Sequence, residues 1–113
     1  MKRQLATSFL AILATIVAAG PVNAADATGS HKTAEVKVDN FSFGPETVTV
    51  PLNTTVTWVN HDDVPHVVAS TDGVFRSKAL DTDDKYSFTF DKPGTYTYFC
   101  ALHPKMVGKI IVH

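Results

Sequence analysis

The chain contains a single cysteine among its 113 residues, so no disulfide can form within it. It also lacks a surplus of basic residues, with 10 Lys+Arg against 11 Asp+Glu. Because proteins that bind nucleic acids need basic residues to neutralise phosphates, this balance argues against general nucleic-acid binding. Beyond the N-terminal region we find no convincing helical period, no internal repeat and no second domain. With 44% hydrophobic residues, the composition is that of one ordinary globular domain.

The N-terminal region has the pattern of an export signal. A positively charged start precedes an apolar run at residues 9–19 (FLAILATIVAA), and small residues follow up to Ala24. A membrane-spanning helix needs about 20 apolar residues, whereas this run is shorter and is followed by Gly20-Pro21. We therefore predict a signal peptide over residues 1–24 and a periplasmic protein. An uncleaved membrane anchor is the alternative.

The rest of the chain predicts an all-β fold. Alternating or short apolar segments, typical of half-buried strands, occupy residues 34–39, 46–50, 54–59, 86–90, 95–98 and 107–112. Turn-forming Gly, Pro, Asn and Asp residues separate them. Seven or eight short strands at this spacing indicate a Greek-key β-sandwich or small barrel over residues 34–113. Residues 25–33 are small and polar without a period, and predict a flexible N-terminal tail.

Several potential metal ligands lie close together near the C-terminus. Cys100, His103 and Met106 form a Cys-x2-His-x2-Met pattern at the end of a predicted strand, where Cys100 keeps the parity of Tyr98 and points to the core. Upstream, His66 begins an apolar segment in which a charge would be unfavourable. Two histidines, one cysteine and a weak axial methionine are the blue-copper ligand set. These four residues therefore predict a copper site that transfers one electron.

Each of these residues also has an ordinary structural interpretation. Cys100 or Met106 alone would most often be an apolar core residue, while His103 alone would lie in a surface loop and His66 in a strand. A free thiol in an oxidising compartment is, however, prone to oxidation and mispairing, so Cys100 is expected to be buried or occupied. The conjunction of spacing, β pattern, export signal and missing disulfide partner favours the metal site.

Most of residues 34–113 resemble the cupredoxins, and among them the amicyanin, pseudoazurin and plastocyanin group of small blue-copper proteins. The resemblance is carried by Trp58-Val59-Asn60 and Pro65-His66, and by residues 72–77 (DGVFRS), 86–90 (YSFTF), 93–100 (PGTYTYFC) and 103–108 (HPKMVG). It implies one type 1 copper with His66, Cys100 and His103 as equatorial ligands and Met106 as the axial ligand. The two-residue gaps on both sides of His103 match the short loop of amicyanin.

The sequence departs from the family pattern at two places. Many members carry Asn after the first histidine, whereas Val67 stands here, so any hydrogen bond to the Cys100 sulfur must come from the backbone. Leu102 and Lys105 replace the proline and the aromatic residue of the amicyanin loop, so the docking surface is expected to differ. The resemblance also implies that the Asn60 amide ties the two ligand loops together.

The resemblance further implies that one edge of His103 reaches solvent through an apolar patch, where redox protein partners dock transiently. We expect this patch to contain Pro65, Ala101, Leu102 and Pro104, with Val64 as a further candidate. A modest apolar patch suits a brief encounter, because redox pairs use small interfaces and separate quickly. We also expect the protein to be a monomer. Lys105 and Lys109 either steer an acidic partner or are simply solvated, and we favour solvation slightly.

The remaining polar clusters give weaker signals. Asp62-Asp63 and residues 81–84 (DTDD) suggest a docking surface or a calcium site, but no Gly-centred spacing of oxygen ligands is present. Solvated loops are therefore the preferred interpretation. His31, His61 and His113 have no partner at recognisable metal spacing, and we predict that none of them ligates a metal.

Three other functions would use the same residues. A copper carrier would share the ligands, but such sites tend to be exposed and rich in Met or His, and this chain has only 2 Met. A thiol enzyme with Cys100 as nucleophile and His103 as base would lack a third orienting group, so we predict no enzymatic activity. A structural zinc site would gain little from the Met106 thioether.

Overall fold

The computed structural model describes residues 31–113, which form eight strands. In chain order these are β1 Lys32–Asp39, β2 Ser42–Gly44, β3 Thr47–Val50, β4 Thr54–Asn60, β5 Val68–Ser70, β6 Lys85–Phe90, β7 Gly94–Cys100 and β8 His103–Val112. Within this part of the chain, no helix is long and apolar enough to cross a membrane.

The strands form two four-stranded mixed sheets. One sheet has the order β2-β1-β4-β6 and the other the order β3-β8-β7-β5. β1 pairs with β4, and β3 with β8, in parallel, whereas the other four neighbouring pairs are antiparallel. The predicted all-β sandwich is confirmed.

Alternation along the strands builds the core between the sheets. In β4, Val56 and Trp58 are fully buried, while the Thr55 hydroxyl lies on the opposite face, 2.7 Å from the hydroxyl of Thr89 on β6. The Trp58 ring meets Tyr98 of the second sheet edge-on, with ring centroids 5.4 Å apart. The two aromatic side chains therefore join the sheets in the middle of the core.

The first strand begins earlier than the sequence predicts. Lys32 and Thr33, assigned to the flexible tail, belong to β1 because they pair with Thr54 and Thr55 of β4. Sequence alternation did not reveal β2, since a strand of three residues is too short to show a period. The predicted signal peptide and residues 25–30 lie outside the described residues.

Candidate metal centre

The hairpin of β7 and β8 carries three of the four predicted ligands. Cys100 ends β7 and His103 begins β8, and the two are register partners across the turn Ala101-Leu102. The final strand thus begins at His103 rather than at residue 107, so His103 and Met106 lie on a strand and not in a free loop. The register shifts between Phe99 and Cys100, an irregularity that re-aims side chains at a strand end.

The segment between β4 and β5 supplies His66. Its backbone N–H donates to the carbonyl of Leu80 at 3.1 Å, and its own carbonyl accepts the Leu80 N–H at 2.7 Å. One residue later, the Val67 carbonyl accepts the N–H of Ala101 at 3.0 Å. This last bond attaches the His66 segment directly to the turn between β7 and β8.

The structure brings the three predicted equatorial ligands together. Nδ1 of His66 lies 3.5 Å and Nδ1 of His103 lies 3.7 Å from Sγ of Cys100, and all three donor atoms lie within 4.8 Å of one another. Metal–sulfur and metal–nitrogen bonds of about 2.3 and 2.0 Å, at an angle of about 100 to 120°, separate sulfur from nitrogen by about 3.3 to 3.7 Å. The three side chains therefore fit a single metal ion. Within residues 31–113 they are the only group of three or more His, Cys, Asp or Glu with this geometry.

The sulfur of Cys100 is buried and accepts a backbone hydrogen bond. The residue is 0% exposed, and the Val67 N–H donates to Sγ at 3.4 Å. This is the backbone hydrogen bond expected from the absence of an Asn side chain at position 67. This bond helps to fix the position of the sulfur beside the two imidazoles.

Met106 borders the same region from β8. The residue is buried, and it lines a groove of about 500 Å³ with Phe41, Leu102, His103, Pro104 and Lys105. A thioether beside a thiolate and two imidazoles completes a soft donor set that suits copper better than it suits calcium or magnesium.

Comparison with known proteins identifies the family. Residues 8–112 match the sequence model of the cupredoxin-like domain. The chain belongs to the cupredoxin family. The family binds one copper ion, and the thiolate and imidazole donors of this chain fit that ion.

Relatives of this cupredoxin include several amicyanins. It is 36% identical over 103 residues to amicyanin of Paracoccus versutus, a match that covers 87% of this chain and 76% of that protein. It is 33% identical over 117 aligned positions to amicyanin-alpha of Methylorubrum extorquens, covering 95% and 98%. A purple cupredoxin from Nitrosopumilus maritimus has a similar structure, with a TM-score of 0.66, 32% identity, and coverage of 71% of this chain and 99% of that chain.

Asn60 organises the loop that leads to His66. The residue is fully buried, and its Nδ2 donates to the carbonyls of Val64 at 2.9 Å and Leu80 at 2.8 Å. Both bonds stay within the segments around His66 and do not reach the turn after Cys100. The expectation that Asn60 ties the two ligand loops together is therefore wrong. The direct tie is the backbone hydrogen bond from Ala101 to Val67.

Asp62 also differs from the prediction, which placed it in a solvated loop. Its side chain is only 10% exposed, and Oδ2 lies 2.8 Å from Nε2 of His66. The carboxylate also accepts the backbone N–H groups of Asn40 at 2.6 Å and Phe41 at 3.0 Å. Burial raises the pKa of Asp62, but the hydrogen bonds from Phe41, Asn40 and His66 prevail and hold it below its usual 3.8. The sequence feature that could have indicated this contact is an acidic residue four positions before His66. The other groups that Asp62 binds, the backbone N–H groups of residues 40 and 41, are distant from it in sequence.

Phe41 is a site residue that the sequence did not reveal. Its backbone has a φ of 57°, and its side chain is 50% exposed. The ring lies edge-on to both metal-site imidazoles, with centroids 5.5 Å from His66 and 5.0 Å from His103. No local pattern marks this residue, because its position depends on how the turn after β1 approaches the two histidines.

An exposed apolar face surrounds His103. We define this apolar face as Phe41, Leu102 and Pro104, which line the groove beside the half-buried His103. Leu102 is 50% exposed, in agreement with the predicted patch. Of the other predicted members, Pro65 is exposed, and Val64 and Ala101 are half-buried.

The remaining charged residues show no further metal site within the described part of the chain. Asp63 and residues 81–84 are exposed, in agreement with solvated loops. Lys105 and Lys109 are exposed as well. His31 contacts the Thr55 hydroxyl at 3.0 Å, and neither it nor the exposed His61 and His113 joins a metal-binding group.

Proposed function

We propose that this cupredoxin carries one electron at a time between redox proteins through a single type 1 copper. Cys100, His66 and His103 hold the metal, and Met106 is its weak axial ligand. The main support is the convergence of one thiol sulfur and two imidazole nitrogens within 4.8 Å of one another. Bound copper supplies the one-electron couple between Cu(I) and Cu(II).

The protein holds the donor atoms in place from three directions. The hairpin fixes Cys100 against His103, the backbone pairing with Leu80 fixes His66, and the Val67 N–H orients the sulfur. These contacts use the β7–β8 pairing, an isolated β-bridge between His66 and Leu80, and a backbone N–H group. They therefore resist displacement when the charge of the site changes. A site that rearranges little suits electron transfer.

Electrons enter and leave through His103, in this proposal. It is the half-buried ligand residue, whereas His66 and Cys100 are both 0% exposed. The apolar face around it offers a small surface without strong charge, and redox partners typically meet over small interfaces and separate quickly. A transient redox protein is therefore the partner we expect, and Lys105 at the groove adds at most weak steering.

Relatives support the same conclusion for the whole protein. The similar proteins named amicyanin and plastocyanin are electron carriers rather than enzymes.

We propose that residues 1–24 direct export to the periplasm and are removed there, and that the mature protein acts as a monomer.

The test is to load the metal-free protein with Cu(II) and record visible absorption and voltammetry. The proposal predicts an intense thiolate-to-copper charge-transfer band and a reversible one-electron wave. Cys100→Ser should abolish the band, because it removes the thiolate. His66→Ala should weaken copper binding, because it removes one imidazole ligand, whereas the matched control His61→Ala should bind copper as the wild type does, because His61 is exposed and lies outside the site. A protein that gave no band, or that surrendered its copper readily to an acceptor protein, would overturn electron transfer, and the second result would favour copper delivery.

A further inference from the structure

We infer that Asp62 is the positioning residue of the metal centre. Its single carboxylate fixes the imidazole of His66 and, through the backbone of Asn40 and Phe41, holds the Phe41 ring against both metal-facing imidazoles. The inference rests on the proposed metal site and concerns what sets the orientation of its ligands.

The first contact of Asp62 determines which nitrogen of His66 faces the metal. An ionised carboxylate only accepts hydrogen bonds, so Nε2, 2.8 Å from Oδ2, carries the hydrogen. In a neutral imidazole the lone pair then lies on Nδ1, the atom that lies 3.5 Å from the Cys100 sulfur. A carboxylate behind a ligating histidine fixes the tautomer and the ring orientation in this way.

The second contact supports an unfavourable backbone conformation. Asn40 and Phe41 have φ values of 53° and 57°, a region that Asn tolerates and that is costly for Phe. Successive N–H groups in this conformation point toward one place and form an anion-binding concavity. The Asp62 carboxylate lies there, 2.6 Å from one N–H and 3.0 Å from the other. These charge-assisted hydrogen bonds offset the cost of the conformation.

Asp62 is itself held firmly, so it can serve as a fixed point. Its backbone N–H donates to Oδ1 of Asn60 at 2.8 Å, and its carbonyl accepts the hydroxyl of Thr82 at 2.6 Å. The two groups that it positions also touch each other, because the Phe41 ring lies edge-on to the His66 ring. One carboxylate therefore links the strained turn after β1, the buried histidine and the aromatic wall of the groove.

The test uses Asp62→Asn with Asp63→Asn as the matched control, because Asp63 is the adjacent exposed acid. The Asn amide has a single acceptor oxygen, so it cannot accept from Asn40 on one side and from Phe41 and His66 on the other. Asp62→Asn should therefore weaken copper binding about 10- to 100-fold, while the control binds as the wild type does. Nitrogen-15 NMR of the metal-free wild type should show the His66 ring protonated on Nε2. Asp62→Asn should lose that preference.

A double-mutant cycle tests the contact with Phe41 in the metal-free protein. Phe41→Ala removes the ring but keeps a Cβ at positive φ. Because no ring contact with the imidazoles is then left to lose, Asp62→Asn should lower the free energy of unfolding less in a Phe41→Ala background than in the wild type. Additive effects of the two substitutions would contradict this part of the inference.

Two results would overturn the positioning role. One is a wild-type His66 protonated on Nδ1 in the metal-free state, which decides the matter even if Asp62→Asn fails to fold. The other is equal copper affinity in the Asp62 and Asp63 variants. Failure of the proposed function would look different, because the wild type would then show no charge-transfer band with copper, whatever the tautomer of His66.

Discussion

Replacing Gly108 with alanine should destabilise the protein, although the change adds only one methyl group. Gly108 lies opposite Tyr98 in the pairing of β7 with β8. A Cβ atom at this position would lie 2.4 Å from Cζ of Tyr98, 2.5 Å from its hydroxyl oxygen and 2.9 Å from Cε1. All three separations are far below van der Waals contact, so the ring or the strand must move.

The Tyr98 ring has little room to move. It is 1% exposed and packs against Phe43, Trp58 and Phe75, with centroid separations of 4.7, 5.4 and 6.1 Å. Protein interiors are close-packed, and overfilling them costs about 1 to 3 kcal/mol. We expect Gly108→Ala to lower the free energy of unfolding by that amount, and the melting temperature by about 4 to 8 °C for each kcal/mol.

Urea unfolding of the metal-free protein measures this effect without interference from copper. Gly44→Ala is the control, because its Cβ would come no nearer than 3.9 Å to the Lys37 carbonyl oxygen. It should leave stability unchanged or slightly higher. Adding Tyr98→Phe to Gly108→Ala removes the oxygen contact but not the carbon contact, so it should restore only part of the loss. A Gly108→Ala variant within about 0.5 kcal/mol of the wild type would refute the packing argument.

Three further predictions follow from the same structure. Burial raises the pKa of Tyr98 to about 12, and the Trp58 indole opposes the shift. In the unfolded chain a tyrosine ionises near pH 10. The neutral Tyr98 side chain therefore contributes its full stabilisation of the folded state below about pH 10, and this contribution is lost as the pH rises toward 12. The free energy of unfolding should therefore fall by about 2 to 3 kcal/mol across that window, and by clearly less in Tyr98→Phe; equal slopes in urea titrations would contradict the assignment. Met106→Leu should shift the reduction potential in voltammetry while the visible charge-transfer band persists, since the thiolate remains; loss of the band would show that Met106 does more than bind axially. Leu102→Asp, on the apolar face, should slow electron exchange between oxidised and reduced protein in stopped-flow or NMR measurements and leave the spectrum unchanged; an unaltered rate would place the electron exit elsewhere.

Local patterns were enough to predict the fold and most of the candidate site. The alternation that buries Val56 and Trp58 can be read from β4 itself, because side-chain direction in a strand depends only on parity. Cys100, His103 and Met106 lie close together in sequence, so their convergence needed only a tight hairpin. His66 is distant in sequence, and it was assigned to the site because two histidines, one cysteine and a methionine form the blue-copper ligand set; the family resemblance implies the same assignment.

Contacts between segments that are distant in sequence could not be predicted from local patterns. Asp62 looked like a surface acid, since nothing local shows that the N–H groups at 40 and 41 turn toward it. Phe41 has no hydrophobic period around it, and its contact with both histidines follows from the turn after β1. The role of Asn60 was misassigned for the same reason. Its hydrogen-bond partners, the carbonyls of Val64 and Leu80, are determined by how the loops pack.

The most direct test of the central claim is X-ray absorption at the copper edge of the loaded protein. The account predicts one short copper–sulfur bond and two copper–nitrogen bonds from imidazole, with a single copper per chain. A spectrum with only nitrogen and oxygen neighbours would contradict it, since Cys100 would then lie outside the coordination sphere.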